Sequence, residues 1–191
     1  IINSEMVGRD VCTRFGFPEE RMHLVRNGVE GERWQRGDRE AQRAKWGLVP
    51  DEFLLLFAGS GWERKGLHFV IAALKKMSDA SLKLVVAGKG RPPRNTPSGV
   101  RFVGPMADLE NAYAAADLFV FPPIYEPSAN VCFEALVTGL PVVTSACNGA
   151  AEVIEEGVNG TVVKDPSDVK ALVAAIEFWH ERPEARPVTV K

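Results

Sequence analysis

Two segments hold the residue types and spacing that could manage an anionic, hydroxyl-rich ligand. The first is Gly59-Ser60-Gly61-Trp62-Glu63-Arg64-Lys65-Gly66. Its glycines permit close backbone approach, free N–H groups at a helix start attract anions, and Arg64 and Lys65 place two cations at the same mouth. One reading is a phosphate or diphosphate cradle; the other is a glycine-rich turn carrying two solvated charges. It is not a Walker A loop, and it is not GxGxxG, because Arg64 stands where the third glycine belongs. The second segment is Glu126-Pro127-Ser128-Ala129-Asn130-Val131-Cys132-Phe133-Glu134, with two carboxylates eight residues apart. A glycosidase pair is excluded on geometry, since eight helical residues rise about 12 Å, beyond the ~5–9.5 Å that hydrolysis needs. Pro127 puts Glu126 in the loop before a helix or at its first position. Glu126 is then expected at the carboxyl end of a strand and Glu134 one turn into the helix. The N–H groups near Ala129 and Asn130 are expected to point into the cleft between them. Such a site offers carboxylates to sugar hydroxyls and a helix terminus to phosphate. The competing reading is two ordinary acids near a helix N-terminus, favoured by the macrodipole.

The loops carrying these residues need elements to hold them. Phe53 to Ala58, Leu82 to Ala87, Val100 to Val103, Leu118 to Phe121, Pro141 to Thr144 and Thr161 to Val163 are apolar runs of strand length. Continuous runs of this kind fit strands buried on both faces of a parallel sheet. Helical spacing appears between them: Leu67, Val70, Ile71, Leu74 and Met77; Leu109, Ala112, Tyr113 and Ala116; Val131 to Thr138, stopped by Gly139 and Pro141. Val153 and Ile154 are expected in a short helix closed by Gly157. A last helix is expected to open at Asp165-Pro166 and carry Val169, Leu172, Val173 and Ile176. The alternation predicts a doubly wound α/β sheet, in which ligands bind beyond the carboxyl ends of the strands. Gly88-Lys89-Gly90 and Ser145 to Glu152, with Asn148 or Gly149 as cap, lie on that edge; Arg91 to Arg94 reads as a poorly ordered excursion. Before the first strand, Met6 to Phe15 reads as an amphipathic helix after Ser4. Met22 to Arg26 reads as a strand closed by an Asn27-Gly28 turn, and Glu30 to Lys45 as a solvated loop and helix.

Composition narrows the classes. A chain of 191 residues makes one large domain or two very small ones. Lys and Arg number 23 against 25 Asp and Glu, a net charge of −2 that argues against a nucleic-acid partner but permits a local phosphate site. No apolar run is long enough to cross a bilayer. Cys12, Cys132 and Cys147 form no CxxC, and His23, His68 and His180 stand alone, which disfavours a disulfide framework or structural zinc and suits reduced thiols in a cytoplasmic protein. The first residues, Ile1-Ile2-Asn3-Ser4, enter in the middle of a hydrophobic pattern, as expected for a piece of a longer protein.

Asn27-Gly28-Val29, the loop at 59–66, GKG at 88–90, Phe102-Val103-Gly104, Glu126 to Glu134, and Gly139-Leu140-Pro141-Val142-Val143 occur in an order and spacing that resemble GT-B glycosyltransferases of family four. The likeness is to their carboxyl-terminal, donor-binding domain and spans residues 1–180. The wording GSGWERKGL and EPSANVCFEALVTGLPVV is similar to the lipopolysaccharide-core glucosyltransferase branch. The resemblance implies that Arg64 and Lys65 hold the donor diphosphate and stabilise its leaving charge, with Glu126 near the donor sugar hydroxyls as a third catalytic residue. It implies that Glu134 binds the ribose hydroxyls and that the start of the helix at Ser128, Ala129, Asn130 and Val131 faces phosphate. Gly59, Ser60, Gly61, Lys89 and Gly104 would line the donor cleft and the base. Two departures stand out: Ala129 replaces a glycine common in the family, and Asn130 replaces an apolar residue, so either could alter donor choice.

The expected function is that of the donor half of a retaining hexosyltransferase using a UDP-type sugar, with retention implied by the resemblance. The partners are a nucleotide sugar and, through an amino-terminal domain absent from this chain, a glycan or lipid-linked acceptor. The full-length protein is expected in the cytoplasm, possible at the inner membrane face as a peripheral protein, and the isolated domain is expected to be inactive. Residues 181–191 are expected to form a loose tail. No DxD occurs, and Asp165 and Asp168 are spaced wrongly for one, so no metal or other cofactor is expected. The alternatives are another GT-B activity, such as a nucleotide-sugar epimerase or glycosyl phosphorylase, and a non-catalytic nucleotide-binding module.

Overall fold

The computed structural model describes residues 1–182, so most of the expected tail, 183–191, lies outside the described residues. Six parallel strands form the sheet: β1 (Phe53–Ala58), β2 (Leu82–Ala87), β3 (Val100–Gly104), β4 (Leu118–Phe121), β5 (Val142–Ser145) and β6 (Gly160–Val163), in the order β3-β2-β1-β4-β5-β6. All six residues of β1 and all four of β4 are buried, as their uninterrupted apolar sequences require. The chain order reverses direction between β1 and β4, which pair through Leu55–Leu118 and Leu56–Phe119. The loops leaving these two strands therefore lie where a doubly wound sheet usually binds its ligand.

The flanking helices are α1 (Glu5–Phe15), α2 (Gly31–Trp34), α3 (Arg39–Lys45), α4 (Leu67–Met77), α5 (Leu109–Ala115), α6 (Asn130–Val137) and α7 (Val169–His180). In α4, Leu67, Val70, Ile71 and Leu74 are buried, and the helix packs beside α7, whose Leu172, Ala175, Ile176 and Trp179 are buried. The helix expected after Ser4 is present, and Ser4 caps it, its Oγ accepting from the Val7 N–H. Among the described residues no helix is long and apolar enough to cross a membrane.

Four local expectations need correction. Residues 22–26 form no strand; Ile2 and Leu24 make a single parallel bridge, because the chain turns into α1 directly after Ile2-Asn3. Residues 30–45 are not simply solvated: Trp34, Gln42 and Arg43 are buried. Arg39 and Arg43 clamp Asp117 at 2.6 and 3.1 Å and also donate to the backbone carbonyl of Ala115 at the end of α5. The last helix starts at Val169, not at Asp165-Pro166, because Asp168 accepts from the N–H groups of Lys170 and Ala171 while Asp165 is committed to a turn with Ser167. The short helix near residue 153 is a 3-10 turn at Gly149–Val153, capped by Asn148, and Ile154 lies outside it in extended backbone.

Candidate functional site

The loop after β1 is held in place by backbone fit. Gly66, in the left-handed region at φ 78°, sits against the end of β4 so tightly that a Cβ there would lie 1.9 Å from the Pro122 carbonyl oxygen. The Arg64 carbonyl accepts from the Ile124 N–H at 2.9 Å, joining the loop after β1 to the loop after β4. This seat delivers Arg64 to Glu126: Nη1 donates to Glu126 Oε2 at 3.1 Å and to the Tyr125 carbonyl at 2.6 Å. Glu126 is largely covered and Arg64 about half exposed, with Nε and Nη2 making no hydrogen bond to the described residues. Lys65 lies over Gly59, and its Nζ stands 5.4 Å from the centroid of the Phe121 ring. It forms no ion pair among the described residues, so its charge is available at the crevice.

The neighbouring loops close on the same rim. The Gly59 N–H donates to the Ala87 carbonyl, the Gly88 N–H to the Gly104 carbonyl, and the Lys89 N–H to Ser60 Oγ at 3.0 Å. Trp62 donates from Nε1 to the Gly59 carbonyl and packs on Phe102 with ring centroids 5.2 Å apart. Gly61 is exposed with φ 74°. Gly61, Trp62, Arg64, Gly90, Arg91 and Ile124 edge an open concavity of about 650 Å³. A larger one of about 720 Å³ lies at the opposite end of the sheet, by Leu82 and Val100, away from these residues.

The other wall is the segment from Glu126 to Glu134. Glu126 extends the sheet beyond β4: its N–H donates to the Cys147 carbonyl and its own carbonyl accepts from the Gly149 N–H, both at 2.9 Å. Asn148 is 1% exposed and ties this turn to α6. Its Oδ1 accepts from the N–H groups of Ala129 and Ala150, and its Nδ2 donates to Thr144 Oγ1 and Cys132 Sγ. The Ala129 N–H is therefore not directed into the cleft as expected, because Asn148 occupies it. The N–H groups of Asn130 and Val131 remain without an acceptor among the described residues and carry the positive end of the helix. The Asn130 side chain meets Asn27, whose Nδ2 donates to Asn130 Oδ1 at 2.7 Å, so the Asn27-Gly28 turn borders the helix start. Ser128 Oγ is buried with no hydrogen-bond partner among the described residues.

Glu134 sits just over one turn into α6, on the side facing α5, where its Oε2 accepts from Tyr113 Oη at 2.9 Å. Burial pushes its carboxyl above the ordinary value, and the Tyr113 bond and nearby Arg33 partly offset that. Tyr113 is itself held well above the usual phenol value, first by burial and then by the Glu134 charge. Burial also pushes the Cys132 thiol up to about 12, so it is an inert core thiol. Sequence reasoning treated Tyr113 as part of an apolar stripe and Asn148 as a cap only. The available signal was chemical: a buried phenol or amide must find partners.

The structure places the expected loop residues at the carboxyl ends of the strands: Gly59, Ser60, Gly61, Arg64 and Lys65 on one lip, Lys89 and Gly104 beside them, and Glu126, Ser128, Ala129, Asn130 and Val131 opposite, with Glu134 farther along α6. It joins Arg64 to Glu126 directly, while Glu134 belongs to a separate cluster with Tyr113. Among the described residues no group of three or more His, Cys, Asp or Glu side chains is arranged to hold a metal ion.

Residues 52–181, more than half of the chain and β1 through α7, match the glycosyl transferases group 1 family. An uncharacterized glycosyltransferase of Methanocaldococcus jannaschii is 31% identical over 186 residues, covering 87% of this chain and 47% of that protein. D-inositol 3-phosphate glycosyltransferase 1 of Catenulispora acidiphila is 30% identical over 200 residues, covering 92% of this chain and 48% of its own length. The chain spans about half the length of the curated relatives it matches. Among solved structures, WaaG, a glycosyltransferase involved in lipopolysaccharide biosynthesis, superposes with a TM-score of 0.86 at 27% identity, over 97% of this chain and 54% of that one. Anabaena HepE, solved in complex with UDP-glucose, shares the fold with a TM-score of 0.85 at 22% identity, over 97% of this chain and 54% of its own. With the reversal of strand order at β1 and β4 placing the loops after the strands on one rim, the family match and the superposition agree: the chain belongs to the glycosyl transferases group 1 family and has the Rossmann-like α/β architecture of GT-B enzymes.

Proposed function

We propose that this chain is the donor-binding half of a retaining glycosyltransferase that transfers a hexose from a UDP-type nucleotide sugar to a glycan or lipopolysaccharide acceptor. The observation that carries the reading is the placement, beyond the carboxyl ends of β1 and β4, of two cations on one lip and of a covered carboxylate, Glu126, with two open helix N–H groups on the other. HepE was solved with UDP-glucose and WaaG acts in lipopolysaccharide biosynthesis, which supports a UDP sugar as donor and a lipopolysaccharide-type acceptor. Catalysis in this reading is electrostatic. As the sugar–phosphate bond breaks, negative charge grows on the departing diphosphate, and fixed donors aimed at that charge lower the barrier. Arg64 contributes through Nε and Nη2, its Nη1 being anchored by Glu126 and Tyr125. Lys65 contributes an ammonium with no ion-pair partner among the described residues, and the Asn130 and Val131 N–H groups a fixed dipole. Charge-assisted hydrogen bonds contribute about 1.5–3 kcal/mol each, so these groups supply several kcal/mol without a metal. Glu126, oriented by Arg64, accepts from donor sugar hydroxyls, and Glu134 accepts from the ribose.

The acceptor is held by an amino-terminal domain beyond this chain, and the complete protein works in the cytoplasm, peripherally at the inner membrane face. The test is product analysis on the full-length protein with a panel of nucleotide sugars, with and without a glycan acceptor. The expected result is transfer that needs both substrates and proceeds best with a UDP sugar. Epimerised nucleotide sugar without acceptor, sugar phosphate formed with inorganic phosphate, or no turnover with any donor would each replace this reading with one of its alternatives.

A further inference from the structure

Tyr113 is the one buried phenol in contact with the candidate site. Its ring is fixed by edge contacts to Trp34 and Phe119, each with centroids 5.6 Å apart, and it is 1% exposed. Its single hydroxyl has two acceptors within reach, Glu134 Oε2 at 2.9 Å and the Val131 carbonyl at 3.2 Å. A phenol has one proton to donate. When Glu134 is ionised, the proton belongs on the carboxylate, the nearer and charged acceptor. When Glu134 is protonated, Tyr113 can turn its proton to the Val131 carbonyl and accept from the Glu134 hydroxyl. Both states of the carboxyl are hydrogen-bonded in this arrangement, and both leave Oε1 an acceptor, but only the ionised one gives it the charge that makes a strong acceptor.

We propose that Tyr113 is a positioning residue for nucleotide recognition: its hydroxyl holds Oε2 of Glu134, so that Oε1 is presented as an acceptor to the ribose diol of the donor. This rests on the assignment of Glu134 to the ribose. The geometry supports it independently of that assignment, because a rigid buried ring removes the rotamer freedom that a half-buried glutamate otherwise retains. The charged and titratable groups around Glu134 are Arg33 on α2, Glu110 and Tyr113 on α5, and Cys132 on its own helix. Arg33 favours the carboxylate but is exposed and 4.0 Å from Glu110. The Tyr113 bond is therefore the strongest influence holding Glu134 ionised against its burial.

The experiment titrates the full-length protein with UDP and with 2′,3′-dideoxy-UDP from about pH 5 to 8, comparing wild type, Tyr113→Phe, Glu134→Gln and the double variant. Phenylalanine keeps the ring packing, and the dideoxy ligand reports whether the site survives the substitution. The expected result is that wild type prefers UDP, that Tyr113→Phe loses about five- to tenfold in UDP affinity with little change for the dideoxy ligand, and that the acid limb of UDP binding moves to higher pH. Glu134→Gln keeps only the limb that the terminal phosphate gives to both nucleotides, and adding Tyr113→Phe to it neither moves that limb nor changes UDP affinity by more than about twofold. Equal losses for both ligands, or an unchanged affinity and pH profile in Tyr113→Phe while wild type still prefers UDP, overturn the inference alone. A wild type that binds both ligands equally, or neither, overturns the ribose assignment of Glu134 itself.

Discussion

Replacing Gly66 with alanine tests whether the seat of the cationic loop controls the chemistry. Two separate costs can be worked out. Alanine at φ 78° is strained by about 1–2 kcal/mol in the left-handed region. In addition, its Cβ would stand 1.9 Å from the Pro122 carbonyl oxygen, where real contacts essentially never fall below 3.0 Å, so the loop and the end of β4 must part by about 1 Å. That separation pulls Arg64 and Lys65 away from Glu126 and the start of α6. A misplacement of this size can cost about a hundredfold in rate. Gly16→Ala is the control: it has φ 62° at the end of α1 with nothing within 4 Å, so it carries the strain without the clash. Strain alone lowers the melting temperature by about 2–8 °C in a chain of this size. The assay is steady-state transfer by the full-length protein together with thermal melts of both variants. Gly66→Ala should lose about two orders of magnitude in kcat/KM and melt below Gly16→Ala, which should keep near-normal kcat/KM. Equal activity in the two variants would refute the claim that the contact with Pro122 sets the site.

Three further outcomes follow from the same geometry. Arg64→Ala and Lys65→Ala should each cut turnover by about 10²–10³-fold while melting close to wild type, since neither side chain is in the core; near-normal turnover sinks the diphosphate assignment. Glu134 titrates above its ordinary value of 4.5 in the fold, so its contribution to stability is fully present below that pH and is lost as pH rises through the raised value. Glu134→Gln should therefore melt higher than wild type near neutrality, with the gap closing in acid; a gap that widens in acid contradicts the burial argument. Asn148→Ala strands the N–H groups of Ala129 and Ala150, both buried, at about 1–3 kcal/mol each. Urea unfolding should show a loss of about 2–6 kcal/mol, and a loss under about 1 kcal/mol means that other acceptors replace the amide.

The sheet was legible because strands buried on both faces must be apolar throughout, and Phe53 to Ala58 or Leu118 to Phe121 admit no other reading of comparable economy. Gly59 and Gly88 marked the ends of two strands and Pro122-Pro123 the end of a third, so the loops at 59–66, 88–90 and 126–134 could be assigned to one rim before any geometry was known. What periodicity does not carry is long-range polar pairing. Asp117 draws Arg39 and Arg43 inward across more than seventy positions, turning a segment that reads as solvated into a packed one. Asn148 takes the Ala129 N–H across 19 positions, and Tyr113 reaches Glu134 across 21. Local competition also misleads: Asp165-Pro166 reads as the helix start, and only the hydrogen bonds show that Asp168 is the cap. The Met22 to Arg26 run has strand composition but only a single bridge, with Ile2, to support it.

The central claim is that one crevice, at the reversal of strand order between β1 and β4, holds the donor nucleotide. A crystal structure of the full-length protein with UDP bound measures this most directly. The account predicts the diphosphate against Arg64, Lys65 and the N–H groups of Asn130 and Val131, with the ribose hydroxyls on Glu134. Nucleotide density on another face of the sheet, or a diphosphate that touches neither Arg64 nor Lys65, would contradict it.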